Sequence, residues 1–306
     1  MKKHFSAVLL VIAAAIWGFA FSAQKAAEAV PAFTLGCARS IFATIFLVFV
    51  IMIFDKLTKS NRKLFSKEKK IDLTKYELIG GALTGTALTF ATFFQQFGIN
   101  AGTDAGKSAF ITALYVVLVP IYALVLKKPA PINVWISIAI AVVGFYFLCI
   151  TDELTMVSSD VYVLICAFIF PVQILCIDHF SPLCDGIRMS FVQFSTTTVL
   201  NFILALIFES PIELGTVIDA LVPIIFLGIG SSGIAYTLQI IGQKGVNPAA
   251  ASIVMSLESV FGVIGSAILL GERMLTREYI GCAVVFVAVV LSQLDLKSIF
   301  KKHKAN

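Results

Sequence analysis

The chain has 306 residues, of which 59% are hydrophobic and only 13% are charged, and its formal net charge is +5. A soluble domain carries about 25% charged residues, so this chain has too little polar surface to cover a globule in water. The composition predicts an integral membrane protein. It excludes a DNA-binding protein, a cytosolic enzyme and a secreted disulfide scaffold.

Ten apolar blocks follow one another along the chain, each close to the roughly 20 residues that a helix needs to cross a bilayer core. Prolines, glycines and asparagines separate most of them. The predicted spans are residues 5–24, 32–54, 77–99, 105–126, 132–150, 160–178, 186–208, 220–242, 248–270 and 279–296. The first block is interpreted as a span and not a signal peptide, because Phe21 is a poor residue three positions before a cleavage site.

The basic residues predict the orientation of the chain in the membrane. If the N-terminus is cytoplasmic, the inner loops and tails hold 17 Lys and Arg residues and the outer loops hold four. Cytoplasmic loops are enriched in Lys and Arg, so both termini are predicted to lie inside a cell inner (plasma) membrane. Since the positive charge lies beside the spans, it indicates contact with membrane lipid and gives no evidence for nucleic acid.

The two halves of the chain resemble each other. Residues 84–145 align without a gap on residues 228–289. The matched positions in this alignment include Gln95 with Gln239 and Gly98 with Gly242. The second span of each half adds a further match, Arg39 with Arg188. Spans one to five therefore look duplicated as spans six to ten.

Each half contains five spans, an odd number, so the second half must enter the membrane in the opposite orientation. The sequence predicts an all-α integral membrane fold of ten transmembrane helices arranged as a 5+5 inverted repeat. We assign residues 1–150 to the first repeat, residues 155–296 to the second and residues 297–306 to a basic cytoplasmic tail. Transporters use inverted repeats to build a binding site near the bilayer midplane.

Short motifs in four spans carry a resemblance to a known family. They are Ala15-Ile16-Trp17-Gly18-x-x-Phe21, Arg39, the stretch from Ala109 to Pro120, and Ser256 to Phe261 followed by Leu270-Gly271-Glu272-Arg273. Over roughly residues 6–294 the chain resembles the EamA-type family of the drug/metabolite transporter superfamily. The resemblance implies a ten-helix inverted-repeat fold in a bacterial or archaeal inner membrane. It also implies export of small metabolites, amino acids or drug-like amphiphiles.

Glu258 is the clearest ionisable group inside a predicted span. Its helical face carries small residues, which predicts that it turns into the bundle and not into lipid. A carboxyl buried without a cation favours its protonated form, so this group can take a proton on one side and release it on the other. We predict proton coupling at Glu258, with a structural role in pinning helices together as the alternative.

Other polar and aromatic residues inside the spans are candidates for substrate binding. They are Trp17, Arg39, Gln95, Tyr115, Tyr236 and Gln239. Arg39 either makes a structural pair or holds an anionic group, and the two glutamines either line a central cavity or bond neighbouring helices. Aromatic side chains, among them Phe93, are candidate walls for an amphiphilic substrate.

These features predict a secondary transporter, an exporter driven by proton exchange or by the substrate gradient. The chain lacks the G-x-x-x-x-G-K-[ST] signature of an ATP motor. It lacks the His, Asp or Ser cluster that a membrane enzyme needs, and its six cysteines form no C-x-x-C pair, so we predict no enzyme, no cofactor and no metal site. The alternative is a non-transporting membrane receptor or assembly subunit. Substrate identity and oligomeric state stay open.

Overall fold

The structure, a computed structural model, describes residues 2–58, 72–149, 157–270 and 275–294. Within these ranges the chain is helical and contains no β-strand. Nine helices there are long and apolar enough to cross a membrane, and a shorter apolar helix covers Ile132–Leu148. The predicted ten-helix membrane fold is confirmed. The basic tail, most of the basic loop after the second span and the Gly271-Glu272-Arg273 motif lie outside the described residues.

The ten spans are numbered in chain order. They are α1 (Lys2–Ala26), α2 (Ala32–Leu57), α3 (Lys75–Asn100), α4 (Ala105–Ala113 and Tyr115–Val125), α5 (Ile132–Cys149), α6 (Asp160–Phe180), α7 (Gly186–Phe208), α8 (Leu221–Ile225, Phe226–Ala235 and Tyr236–Gln243), α9 (Pro248–Met255 and Leu257–Leu270) and α10 (Thr276–Gln293). Two short helices that the sequence did not predict, Ser181–Leu183 and Leu214–Asp219, lie in the connections on either side of α7.

Polar side chains fix where several spans begin. Asp185 precedes α7, and its Oδ1 accepts hydrogen bonds from the backbone N–H groups of Ile187 at 2.9 Å and Arg188 at 3.0 Å. Asn247 precedes α9 in the same way, with its Oδ1 3.0 Å from the nitrogen of Ala249. Such caps satisfy the first N–H groups of a helix, which have no partner within the helix itself.

The packing of the helices repeats when each span of the first half is exchanged for its counterpart five spans later. α3 packs on α6 as α8 packs on α1, and α3 packs on α7 as α8 packs on α2. α1 packs on α9 as α6 packs on α4. The contact between α2 and α7 is its own counterpart under this exchange, and so is the contact between α5 and α10. This arrangement is the two-fold relation expected of two inverted five-helix units.

Two matching spans, α4 and α9, contain interruptions that lie two residues apart in the repeat alignment. A single turn residue, Leu114, separates the two segments of α4, and Ser256 separates those of α9. Both keep right-handed helical angles, with φ −59° and ψ −16° at Leu114 and φ −64° and ψ −10° at Ser256. The interruptions place Tyr115 and Glu258 in the first turn of the helical segment that follows. Discontinuous helices are common at the binding sites of transporters.

The outside of the bundle is apolar and its interior is partly polar, the reverse of a soluble protein. The exposed face of α7 carries only apolar large side chains: Val199, Phe202, Ile203, Leu206 and Ile207. The buried side chains of α3 and α8 include Thr84, Gln95, Ser232 and Gln239. A lipid-facing surface needs no polar groups, so the polar side chains are available for the centre of the fold.

Close helix contacts depend on residues without a side chain. A Cβ added at Gly18 in α1 would lie 2.4 Å from the Cβ of Phe261 in α9, closer than two carbon atoms can approach. Small residues are common at such crossings in membranes, because they let helix backbones approach closely. Gly18 therefore fixes the distance between α1 and α9, which both border the central cavity.

Candidate functional site

A cavity lies at the centre of the bundle, between the two repeats. Its walls come from α1 to α4 of the first repeat and from α6, α8 and α9 of the second. All seven of the predicted site residues line it: Trp17, Arg39, Gln95, Tyr115, Tyr236, Gln239 and Glu258. The space accessible to water is about 40 Å³, enough for roughly three water molecules. In this conformation the open space is therefore much smaller than a metabolite pocket.

Arg39 enters the cavity from α2 and is held by two serines of α8. Its Nε donates to Ser232 Oγ at 3.0 Å, and its Nη2 donates to Ser231 Oγ at 3.2 Å. The serines lie in the π-helical segment Phe226–Ala235. From this segment the hydroxyl groups of two adjacent residues reach the same guanidinium group. This is a local geometry that the sequence did not predict.

Gly228 allows α2 to approach this π-helical segment. A Cβ at Gly228 would lie 2.5 Å from the Cβ of Phe42 and 2.8 Å from the backbone oxygen of Arg39. The absence of a side chain at this position thus brings the backbone of α2 against α8. The contact places the Arg39 side chain within reach of both serines.

Among the residues that the structure describes, no acidic side chain neutralises the charge of Arg39. The side chain is 7% exposed, and no carboxylate of the described residues lies within ion-pair distance of it. Arg188, its counterpart in the second repeat, pairs with Asp55, with Nη2 2.7 Å from Oδ1. The two matched arginines therefore differ: Arg188 makes an ion pair outside the cavity, and Arg39 faces the cavity with hydroxyl partners only.

Glu258 lies in the wall of the cavity, 5% exposed. Its Oε1 has no hydrogen-bond partner in the described part of the chain. The Tyr115 hydroxyl approaches this carboxyl group but makes no hydrogen bond of regular geometry. The Trp17 Nε1 is also buried without a partner. Unpaired buried polar atoms cost about 1–3 kcal/mol each, so a group of three around one cavity is suited to bind water or a ligand.

Two hydrogen-bonded pairs of glutamines lie in the cavity wall, one toward each side of the bundle. Gln24 of α1 donates to Gln95 of α3 at 3.0 Å, and Gln173 of α6 donates to Gln239 of α8 at 3.1 Å. α1 and α3 end on one side of the bundle, whereas α6 and α8 end on the side where α1 begins. In the repeat correspondence Gln24 matches Gln173 and Gln95 matches Gln239, so the two pairs are equivalent. Gln95 and Gln239 thus do both things left open by the sequence: they line the cavity and bond neighbouring helices.

Aromatic rings form the apolar part of the wall. The ring centroids of Trp17 and Tyr236 are 4.7 Å apart, and Tyr115 lies 6.3 Å from Phe170. Phe93, a further candidate from the sequence, does not line this cavity. It stacks on Phe33 with a centroid distance of 3.9 Å at another face of α3.

Sequence reasoning missed four polar residues of the cavity, namely Gln24, Gln173, Thr112 and Ser231. The first two carry a detectable signal. Gln24 and Gln173 are 149 residues apart, the same spacing as Arg39 and Arg188. Ser231 has no such signal, because its position depends on the π-helical segment.

A helical bundle of two inverted units around a polar cavity defines the class of membrane transporters. The profile of the EamA-like transporter family matches residues 4–150 and 157–294. The chain belongs to this family, and the resemblance seen in its motifs is confirmed.

Two individual proteins are similar to this chain over most of its length. An uncharacterized transporter of Archaeoglobus fulgidus is 26% identical over 296 residues, a match that covers 96% of this chain and 87% of the relative. A crystal structure superimposes with a TM-score of 0.73 over 94% of this chain and 98% of the other, at 16% identity. The second match supports the fold alone.

Proposed function

We propose that the protein is a secondary transporter that exports a small amphiphilic metabolite through the central cavity. The observation that carries this proposal is the cavity itself, which joins a buried cation, a buried carboxyl group and aromatic walls between two inverted repeats. A rigid structural core would fill this space with apolar side chains. A polar hollow at this position is the usual site of substrate binding in transporters of inverted-repeat design.

Transport proceeds in this proposal by opening one end of the cavity at a time. The Gln24–Gln95 pair holds α1 to α3, and the Gln173–Gln239 pair holds α6 to α8. Each pair consists of uncharged groups whose net contribution is about 0.5–1.5 kcal/mol per hydrogen bond. Such bonds break and form at low cost, which suits a gate. With both pairs formed, the cavity is occluded.

Glu258 is the proposed proton-coupling residue. Among the residues that the structure describes, it is the one carboxyl group in the wall of the cavity, and its Oε1 has no hydrogen-bond partner there. Protonation on one side and release on the other would couple one proton to each transport cycle. A charge that crosses a potential of 100 mV supplies about 2.3 kcal/mol, enough for an almost fifty-fold concentration ratio.

The proposed orientation and location rest on the distribution of charge. The 17 basic residues of the inner loops and tails support a cytoplasmic position for both termini in an inner membrane. The side at which the Gln173–Gln239 pair lies would then face the cytoplasm. Export begins with the opening of that pair.

Reconstitution tests the proposed function. Liposomes that contain the purified protein are loaded with a mixture of small metabolites. A pH gradient is imposed, and the release of each metabolite is followed by mass spectrometry. We expect at least one solute to leave faster than from protein-free liposomes. Retention of every solute, with pH gradients and solute gradients imposed in either direction, would contradict the proposal. It would favour a receptor or assembly subunit.

A further inference from the structure

We propose that the transported molecule carries an anionic head group, a carboxylate or a phosphate, and that Arg39 and Ser231 bind it. This inference rests on the proposed function, because it specifies the chemistry of the molecule that enters the same cavity. It assigns the head group to the α2–α8 side of the cavity and leaves the apolar body to the aromatic walls.

The first argument is the comparison of the two matched arginines. Both are buried, with exposures of 7% for Arg39 and 3% for Arg188. Arg188 has Asp55 as its carboxylate partner, at 2.7 Å. Arg39 has no carboxylate partner among the residues that the structure describes. A charged side chain inside a membrane is costly unless a counter-charge or water accompanies it, so Arg39 offers a site for an anion from outside the chain.

The second argument is the supply of free donors. The guanidinium group has five N–H donors, and the hydrogen bonds of Arg39 use only its Nε and Nη2. Its Nη1 has no bond to any described residue. Ser231 accepts from Arg39, which leaves its own hydroxyl proton free for a further acceptor. Trp17 Nε1 supplies another unpaired donor in the same wall.

These groups match the chemistry of an oxyanion. A carboxylate or phosphate presents only acceptors, and charge-assisted hydrogen bonds to it are roughly twice as strong as neutral ones. An ammonium group presents only donors and would leave these three donors unpaired, so it would have to bind at the Glu258 carboxyl group instead. The proposed ligand thus places its anionic head on Arg39 and Ser231 and its apolar body against the ring of Tyr236.

Trp17 allows a direct binding test, because the chain has two tryptophans and the other, Trp135, lies outside the cavity lining. In the Trp135→Phe variant the fluorescence reports on Trp17 alone. Three probes share a phenylpropyl body: 3-phenylpropionate, its uncharged amide and 3-phenylpropylamine. We expect the carboxylate to bind about tenfold more tightly than the amide, and the amine more weakly than either. Acetate and inorganic phosphate should compete with the carboxylate.

Variants separate head-group binding from a structural role. Arg39→Gln should abolish the tenfold preference, and Arg39→Lys should restore part of it, with both variants monodisperse in detergent. Arg188→Lys, which keeps a charge beside Asp55, is the matched control and should retain the full preference. Equal binding of carboxylate and amide would overturn the proposal. So would the absence of any response to all five probes, or a preference that survives in Arg39→Gln.

The outcome for the proposed function is read separately, from the liposome experiment. Solute release together with no anion preference would overturn the head-group assignment and leave transport intact. Anion binding that depends on Arg39, without release of any solute, would contradict transport and leave the site assigned.

Discussion

Glu209 at the end of α7 binds Thr34 at the start of α2 through two hydrogen bonds. Its Oε2 accepts from the backbone nitrogen of Thr34 at 2.7 Å and from the Thr34 hydroxyl at 2.8 Å, while its Oε1 accepts from the nitrogen of Phe33 at 2.8 Å. A carboxylate at the beginning of a helix satisfies free N–H groups and opposes the positive end of the helix dipole. With the Arg188–Asp55 ion pair at the opposite end, α2 and α7 are joined at both ends.

Replacement of this capping carboxylate should destabilise the fold. We expect Glu209→Ala to lower the free energy of unfolding by about 1–2 kcal/mol, the usual cost of losing an N-terminal cap. Glu209→Gln keeps an acceptor oxygen and should lose less. Thermal unfolding in detergent measures the difference. If the alanine variant is as stable as the unaltered protein, α2 does not depend on this cap.

A side chain at Gly18 should also destabilise the bundle. We expect Gly18→Ala to lower the free energy of unfolding by about 1–3 kcal/mol, because its methyl group overlaps Phe261 of α9. Gly106 is the matched control, since a Cβ there meets no atom within 4 Å. Gly106→Ala should leave thermal stability unchanged or slightly raised. Equal stability of the two variants would show that α1 and α9 adapt without cost.

The role of Glu258 is tested by Glu258→Gln, which keeps the shape of the side chain and cannot exchange a proton. We expect a pH gradient to accelerate transport by the unaltered protein and to have no effect on the variant, whereas exchange driven by the substrate gradient should persist. Liposome flux with and without the pH gradient measures this.

Controls for this experiment separate coupling from folding. Glu278→Gln alters a carboxylate at the start of α10, where Oε2 accepts from the nitrogen of Leu275 at 2.7 Å, away from the cavity. It should retain the response to the gradient. A Glu258→Gln variant that still responds would exclude this residue as the coupling site, and one that fails to fold would assign it a structural role.

The two glutamine pairs should act as separate gates. In a background without native cysteines, Met255→Cys places a reactive thiol in the cavity wall. We expect Gln95→Ala to increase labelling by an impermeant thiol reagent from one side of the membrane and Gln239→Ala from the other. The increase should be about two- to tenfold, since a lost hydrogen bond is worth about 0.5–1.5 kcal/mol.

Gln193 provides the control for these gate variants. It is a fully buried glutamine of α7 that does not line the cavity. Gln193→Ala should leave labelling from both sides unchanged. An increase from the same side for Gln95→Ala and Gln239→Ala would contradict the assignment of two gates.

The spans were predictable because the bilayer imposes their length and apolarity. The predicted span 186–208 coincides with α7, and 160–178 differs from α6 only at its end. The gathering of the seven site residues in one cavity also followed from sequence, since polar groups in apolar helices must turn inward. Their roles in binding and coupling stay predictions.

The remaining features depend on contacts that no local pattern carries. The gap-free alignment missed Gln24 and Gln173 because the repeat spacing changes from 149 residues in the first two spans to 144 in the others. The change lies in one connection, residues 58–74 in the first half and 209–220 in the second. The π-helical segment was not visible in the hydropathy of α8, which carries no sign of the type of helical turn.

The helix packing of the bundle is nearly two-fold symmetric, but the electric field of its charged side chains is not. Exchange of the repeats carries Arg39 onto Arg188, which Asp55 neutralises, and Glu258 onto the uncharged Leu114. In the proposed cycle the two end states share almost the same helix packing, whereas the charge of Arg39 and the proton-dependent charge of Glu258 have no unneutralised counterpart in the other repeat. We therefore expect a change at either residue to alter the balance between the inward-facing and outward-facing populations.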